Sequence, residues 1–181
     1  DVSAQILALA PAFDIIIDDG SHRSSDIFKS FARFFPSLKY GGVFIAEDLH
    51  CSYWKDYEGG LSYPLSAIAF FKRLADVVAH EHWGVPLARR AILGPFAEAY
   101  GCAFNEDDLA MIHSVEFVNS ICVVTKRPLE ENTLGRRIVS GQEDLVWAGA
   151  KALHMQPHVP VVETCNEWSE IARLPELGSA Q

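Results

Sequence analysis

Asp18 and Asp19 close one short apolar run, Glu47 and Asp48 close another, and His22 follows the first acidic pair by three residues. Carboxylates gathered in one place repel each other, and one of them takes up a proton unless a cation neutralises the group. An acid-rich, all-oxygen donor set suits Mg²⁺ or Mn²⁺ rather than Zn²⁺, and such ions keep water positions open to a substrate. Neighbouring strand residues point to opposite faces, so about three of the four acids are expected around one ion. A histidine beside such an ion has the chemistry of a general base near neutral pH. Taking the proton of a hydroxyl acidified by the ion contributes on the order of 10² to 10⁴ in rate.

The elements that must position these residues read as strand, helix, strand. The run from Phe13 to Asp19 is short, β-branched and nearly continuously apolar from Ile15 to Ile17, as for a strand covered on both faces of a parallel sheet. After the Asp18-Asp19-Gly20-Ser21 turn, Ser24, Ser25 and Asp26 offer N-cap oxygens, and Ile27, Phe28, Phe31, Phe34 and Phe35 recur at helical spacing until Pro36. A Lys39-Tyr40-Gly41-Gly42 turn leads into Val43-Phe44-Ile45-Ala46, the second strand. Parallel neighbours joined by a helical crossover put both acidic pairs at one carboxyl edge, where open α/β sheets bind ligands. Residues 52–64 read as an irregular loop and lid over that edge, and residues 65–83 as an amphipathic helix. Residues 111–118 and 121–125 read as an antiparallel hairpin or one bulged strand at the sheet edge; beyond Lys126 only 142–153 looks helical, before an irregular, Pro-containing tail.

Composition excludes several classes. The 15 Lys+Arg against 24 Asp+Glu give a formal net charge of -9, which opposes sequence-independent attraction to nucleic acid or anionic membranes. No apolar run is long enough to span a bilayer, and Asp1-Val2-Ser3 opens no signal peptide. Cys51, Cys102, Cys122 and Cys165 form no CxxC pair, so a reducing, cytoplasmic setting is expected. His80 and His82, two apart on a helix, do not share a face for a metal. Ser120 and Ser140 lack a nucleophile elbow, and neither Gly41-Gly42 nor Gly59-Gly60 forms a phosphate cradle.

The stretch from Phe13 to His22, followed by Phe35 to His50, resembles the metal-dependent class I S-adenosylmethionine O-methyltransferases, above all the macrolide sugar O-methyltransferases of the mycinamicin type. The cephalosporin hydroxylase and rhamnosyl O-methyltransferase group is a more distant relative. The resemblance implies an α/β, Rossmann-like class I methyltransferase fold: three α/β/α layers and a mostly parallel sheet ending in an antiparallel strand. By position it makes Asp19, Glu47 and Asp48 the Mg²⁺ or Mn²⁺ ligands and His22 the base that deprotonates a sugar hydroxyl. Asp18 falls on the cofactor side or behind the metal, Asp1 matches an acid that faces the adenine, and Tyr53 and Trp54 lie against the substrate ring. The cofactor is S-adenosyl-L-methionine, the partner a sugar-bearing small molecule, and members of the family form homo-oligomers.

The family's glycine-rich cofactor loop has no counterpart here, and there is no initiator Met. The chain is therefore expected to be the C-terminal part of a longer enzyme, poorly stable and inert alone, with residues 1–127 in the methyltransferase domain and 128–181 an extension. Two other readings stay open on the residues themselves. One is a metal-dependent hydrolase or oxygenase using the same acids, and the other a non-catalytic half-domain whose acids are solvated turns.

Overall fold

A computed structural model describes residues 2–145 and 147–169. Asp1, assigned above to the cofactor, and the end of the tail with Pro175 lie outside the described residues.

Helix α1 (Val2–Leu9), which the sequence pattern did not announce, buries none of its residues. Strand β1 (Phe13–Asp18) runs parallel to β2 (Leu38–Ala46) with helix α2 (Ser24–Phe34) between them in sequence. Helix α3 (Ala67–Val78), the short helices α4 (Gly94–Tyr100) and α5 (Glu106–Ala110), and the hairpin β3 (Ile112–Val118) and β4 (Ile121–Lys126) follow. The sheet order is β1-β2-β4-β3: one parallel pairing, β1 with β2, and two antiparallel ones. Among the described residues the sheet is therefore mixed rather than mostly parallel, and the expected hairpin supplies its antiparallel edge.

One aromatic core lies between the helices and one face of the sheet. Phe31, fully buried, stacks on Phe35 at 4.7 Å and meets the edges of Phe44, Phe70, Phe71 and Phe104. Rings of this size each remove on the order of 150 Å² or more from water, which pins α2 and α3 against β2. Ile16 packs toward this core while Ile15 and Ile17 stay 59% and 56% exposed. The two-sided cover expected for β1 is thus absent among the described residues.

Strand β2 begins earlier than the glycine turn suggested. Phe13 pairs with Leu38 and Ile15 with Val43, so residues 39–42 bulge out between these rungs. A side chain at Gly42 would press on the carbonyls of Asp14 and Lys39, and Gly41 adopts φ +86°, so this bulge needs its glycines.

Other expectations shift in detail. Helix α2 starts after Arg23, which has no side-chain cap; Ser24, Ser25 and Asp26 all lie inside the helix. The Ser25 amide donates instead to Glu58 Oε2 at 3.0 Å. The long helix ends at Val78, with a 3-10 turn, His80–His82, beyond it. Pro95 in the first turn of α4 and Asn105, whose Oδ1 accepts the Asp107 amide at 3.2 Å, start two short helices between α3 and the hairpin. Among the described residues of 142–153 only Ala150–Leu153 is helical, as a 3-10 turn. Left-handed Gly141 precedes that stretch and left-handed Gly149 interrupts it, and Asp144 accepts the amides of Gly149 and Lys151, a turn-type bond that competes with a helix.

Candidate active site

The parallel ladder runs to the very edge of the sheet, where Asp18 pairs with Ala46 and the Glu47 amide donates to the Asp18 carbonyl at 3.0 Å. The next residues leave extended geometry. Asp48 takes the left-handed conformation (φ 52°, ψ 36°), and His22 does so as well (φ 57°). A reversal at each strand end re-aims a side chain that a continuing strand would carry away.

These reversals bring Asp19, His22 and Asp48 together, with one ligand atom of each inside 4.8 Å of the others. His22 Nε2 lies 3.7 Å from Asp48 Oδ2. Glu47, expected as a third ligand, is not in that group, and neither is Asp18. Two buried polar atoms here have no hydrogen-bond partner among the described residues: His22 Nδ1 and Asp18 Oδ2. Orphaned buried polar atoms are costly, at about 1–3 kcal/mol each, and they concentrate where a ligand belongs. The two carboxylates fit a hard divalent cation, with the imidazole beside it rather than on it. Together these residues do not match the two-histidine, one-carboxylate triad of iron oxygenases, since His50 stands outside the group.

Backbone strain marks the same edge. Five described non-glycine residues have positive φ, and four of them, His22, Asp48, Glu58 and Ser120, surround this site. Each left-handed side-chain-bearing residue costs about 1–2 kcal/mol, which persists only where the surroundings over-determine it. Glu58 is held by the Ser25 amide and by Arg23 Nε at 3.4 Å. Buried Ser24 ties the same loop to α3: its hydroxyl donates to the Tyr57 carbonyl and accepts the Ala67 amide at 2.9 Å.

The loop over the edge is built, not irregular. It forms 3-10 turns at Leu49–Tyr53 and Lys55–Tyr57, and the Gly60 amide donates to the Ser52 carbonyl at 2.9 Å. Trp54, half exposed, meets His50 edge-on at 5.0 Å and Tyr57 at 6.1 Å, while Tyr57 lies 6.4 Å from the His22 ring. Tyr53 lines a cavity of about 290 Å³ together with His50, Lys72, Phe117 and Ser120. Of the two expected substrate aromatics, Trp54 therefore rims the acidic group through its neighbours and Tyr53 faces the cavity.

Two residues were not legible as site residues. Tyr57 is one loop aromatic among several in the sequence. Ser120 lies 72 residues from Asp48 (120 minus 48), and its hydroxyl bonds to His50 Nδ1 at 2.6 Å. Asp48 Oδ1 stands 3.8 Å from that same nitrogen, so Ser120, His50 and Asp48 cannot act as a nucleophile relay, which uses opposite ring nitrogens. Burial, and then the nearby Asp48 charge, push the Cys51 thiol above its ordinary range, which leaves it a poor nucleophile.

The architecture is that of the class I methyltransferase α/β domain, of which this chain spans a part. The MycE methyltransferase of the mycinamycin biosynthetic pathway, solved with Mg and SAH, superposes with a TM-score of 0.58 at 24% identity, over 80% of this chain and 35% of that one. The 8-demethyl-8-alpha-L-rhamnosyl tetracenomycin-C 2'-O-methyltransferase of Streptomyces olivaceus is 39% identical over 77 residues, 42% of this chain and 20% of the relative. The mycinamicin VI 2''-O-methyltransferase of Micromonospora griseorubida is 37% identical over 73 residues, 38% of this chain and 18% of the relative. The chain thus spans about a fifth of the length of the curated relatives it matches. No protein-family model matches it. Among the described residues no helix is long and apolar enough to cross a membrane.

Proposed function

We propose that this chain is part of an S-adenosylmethionine-dependent, Mg²⁺- or Mn²⁺-assisted O-methyltransferase that acts on a hydroxyl of a sugar-bearing small molecule. The observation that carries the proposal is the meeting of Asp19, His22 and Asp48 at the ends of two adjacent strands. The similar proteins whose names describe sugar O-methylation support it.

Asp19 and Asp48 would hold the cation, with Glu47 as the third carboxylate from the same strand end. A divalent cation, when bound, makes a neighbouring hydroxyl more acidic. S-adenosylmethionine, when bound, supplies an electrophilic methyl group. His22 accepts the hydroxyl proton at Nε2, the atom nearest Asp48, whose charge stabilises the resulting imidazolium. The deprotonated oxygen would be the nucleophile toward that methyl group, for which the cofactor's sulfur would be the leaving group. Asp18, with its unpartnered Oδ2, faces the cofactor side, and Trp54 and Tyr53 bear on the sugar and the group attached to it. Holding oxygen and methyl in contact geometry supplies much of the acceleration, on the order of several kcal/mol. The working protein is a cytoplasmic, oligomeric enzyme in which residues 1–127 form the C-terminal part of the methyltransferase domain and residues 128–181 an extension of it.

A thermal-shift titration with Mg²⁺ and Mn²⁺ tests this, beside an Asp19→Asn/Asp48→Asn variant. A ligand at a hundredfold its Kd adds about 2.7 kcal/mol of stability, and the variant is expected to lose that gain. A melting point indifferent to both ions would overturn the metal centre and favour a non-catalytic half-domain. Methyl transfer to a glycosylated acceptor is then measured in a polypeptide of the relatives' full length.

A further inference from the structure

Asp48 holds a strained backbone, and the residue facing it across the sheet is strained too. The antiparallel pairing of β2 with β4 ends at Ala46 and Cys122, and Asp48 and Ser120 each lie two residues beyond that rung. They therefore oppose one another where the ladder would continue, and both adopt positive φ, 52° and 69°. Two contacts join the loop that carries Asp48 to the hairpin tip that carries Ser120. The Leu49 amide donates to the Ser120 carbonyl at 2.9 Å, and the Ser120 hydroxyl bonds to His50 Nδ1 at 2.6 Å. The same imidazole nitrogen stands 3.8 Å from Asp48 Oδ1, on the opposite side of that carboxylate from His22, which approaches Oδ2.

A hairpin tip that needs a left-handed residue is better served by glycine or asparagine than by serine. Serine here accepts a backbone penalty that glycine avoids, and its side chain makes one bond, to His50. We propose that Ser120 is a positioning residue for Asp48: with His50 it forms a clasp between the hairpin tip and the acidic loop that fixes Asp48 in its left-handed conformation. Without it, Asp48 drifts from Asp19 and His22. The clasp rests on the metal reading of this edge given above, and it assigns to the β3–β4 hairpin, which carries none of the acids, a part in setting cation affinity. Groups that orient ligands from behind change metal affinity by about 10- to 100-fold when removed.

The test uses Ser120→Gly, which relieves the backbone while deleting the hydroxyl, and His50→Phe, which keeps a ring against Trp54 while deleting Nδ1. Mn²⁺ affinity is read by electron paramagnetic resonance, and hydrogen exchange is read at the Leu49 and Cys51 amides. Each single variant is expected to weaken Mn²⁺ binding about tenfold and to speed exchange at both amides, with the melting temperature of Ser120→Gly held or raised. The double variant is expected to lose no more than either single one, because both break the same clasp. Unchanged Mn²⁺ affinity in both singles, or losses that multiply in the double, would overturn the clasp. If the unaltered chain takes up no Mn²⁺, the metal reading fails, and the clasp is decided by exchange in His50→Phe: faster exchange at Leu49 sustains it and unchanged exchange overturns it.

Discussion

The Glu47 amide donates to the Asp18 carbonyl at 3.0 Å, so the two acid-bearing strand ends are tied to each other by the last bond of the parallel ladder. Asp19 and Asp48, each the next residue along, cannot separate without breaking it. The acidic edge is thus a consequence of sheet pairing, and its chemistry depends on groups that pairing brings within reach.

His22→Ala removes the proton acceptor and its contact with Asp48. In a polypeptide of the relatives' length, turnover is expected to fall by about 10² to 10⁴ while S-adenosylmethionine affinity holds. Rapid-quench turnover beside equilibrium binding checks it, and retained turnover would remove His22 as the base.

Glu58→Gln weakens the charged acceptor at the start of α2, the helix that follows His22, and breaks the pair with Arg23. A carboxylate at a helix N-terminus contributes about 0.3–1 kcal/mol, so the urea midpoint should drop modestly. The loss should shrink as salt is raised, because the Arg23 pair is exposed.

Glu106 carries a pH dependence of its own. Burial pushes its carboxyl up, but the Arg89 and Arg90 amides and the Arg89 guanidinium outweigh that and bring it below the usual carboxylate range. With a depressed folded pKa, the unfolded chain binds more protons as pH falls, so the stabilisation is complete above the ordinary pKa near 4.5 and is lost progressively as pH falls from there through the lower folded pKa. Glu106→Gln should therefore cost about 1 kcal/mol at pH 7 and progressively less toward pH 3. Urea melts across that range measure the difference, and a pH-independent cost would contradict the assignment.

Gly59→Ala drives a methyl group into the Ser52 carbonyl, which lies under the loop that carries Trp54. Overpacking of this kind costs about 1–3 kcal/mol. A lower melting temperature with altered Trp fluorescence is expected, whereas the same change at Gly94, where added bulk meets nothing, should leave both unchanged.

The features legible in the chain before folding are local and periodic. The apolar run at residues 13–18, the aromatic spacing of Ile27, Phe28, Phe31 and Phe35, and the alternation in 111–125 each follow from a hydrophobic face that one kind of element buries. With a parallel crossover, they carry Asp18, Asp19, Glu47 and Asp48 to one edge before any coordinates are considered. Which of these acids meet depends on how the chain packs in three dimensions. That choice rests on left-handed reversals at His22 and Asp48, and single residues in αL leave no periodic signature. The same packing places Glu58, not a nearby serine, at the start of α2, and brings Ser120 to His50 across the sheet. These are contacts between residues 33 and 70 positions apart. Such contacts are set by strand register and by the depth at which the phenylalanine core packs, and neither can be read from a window of neighbouring residues.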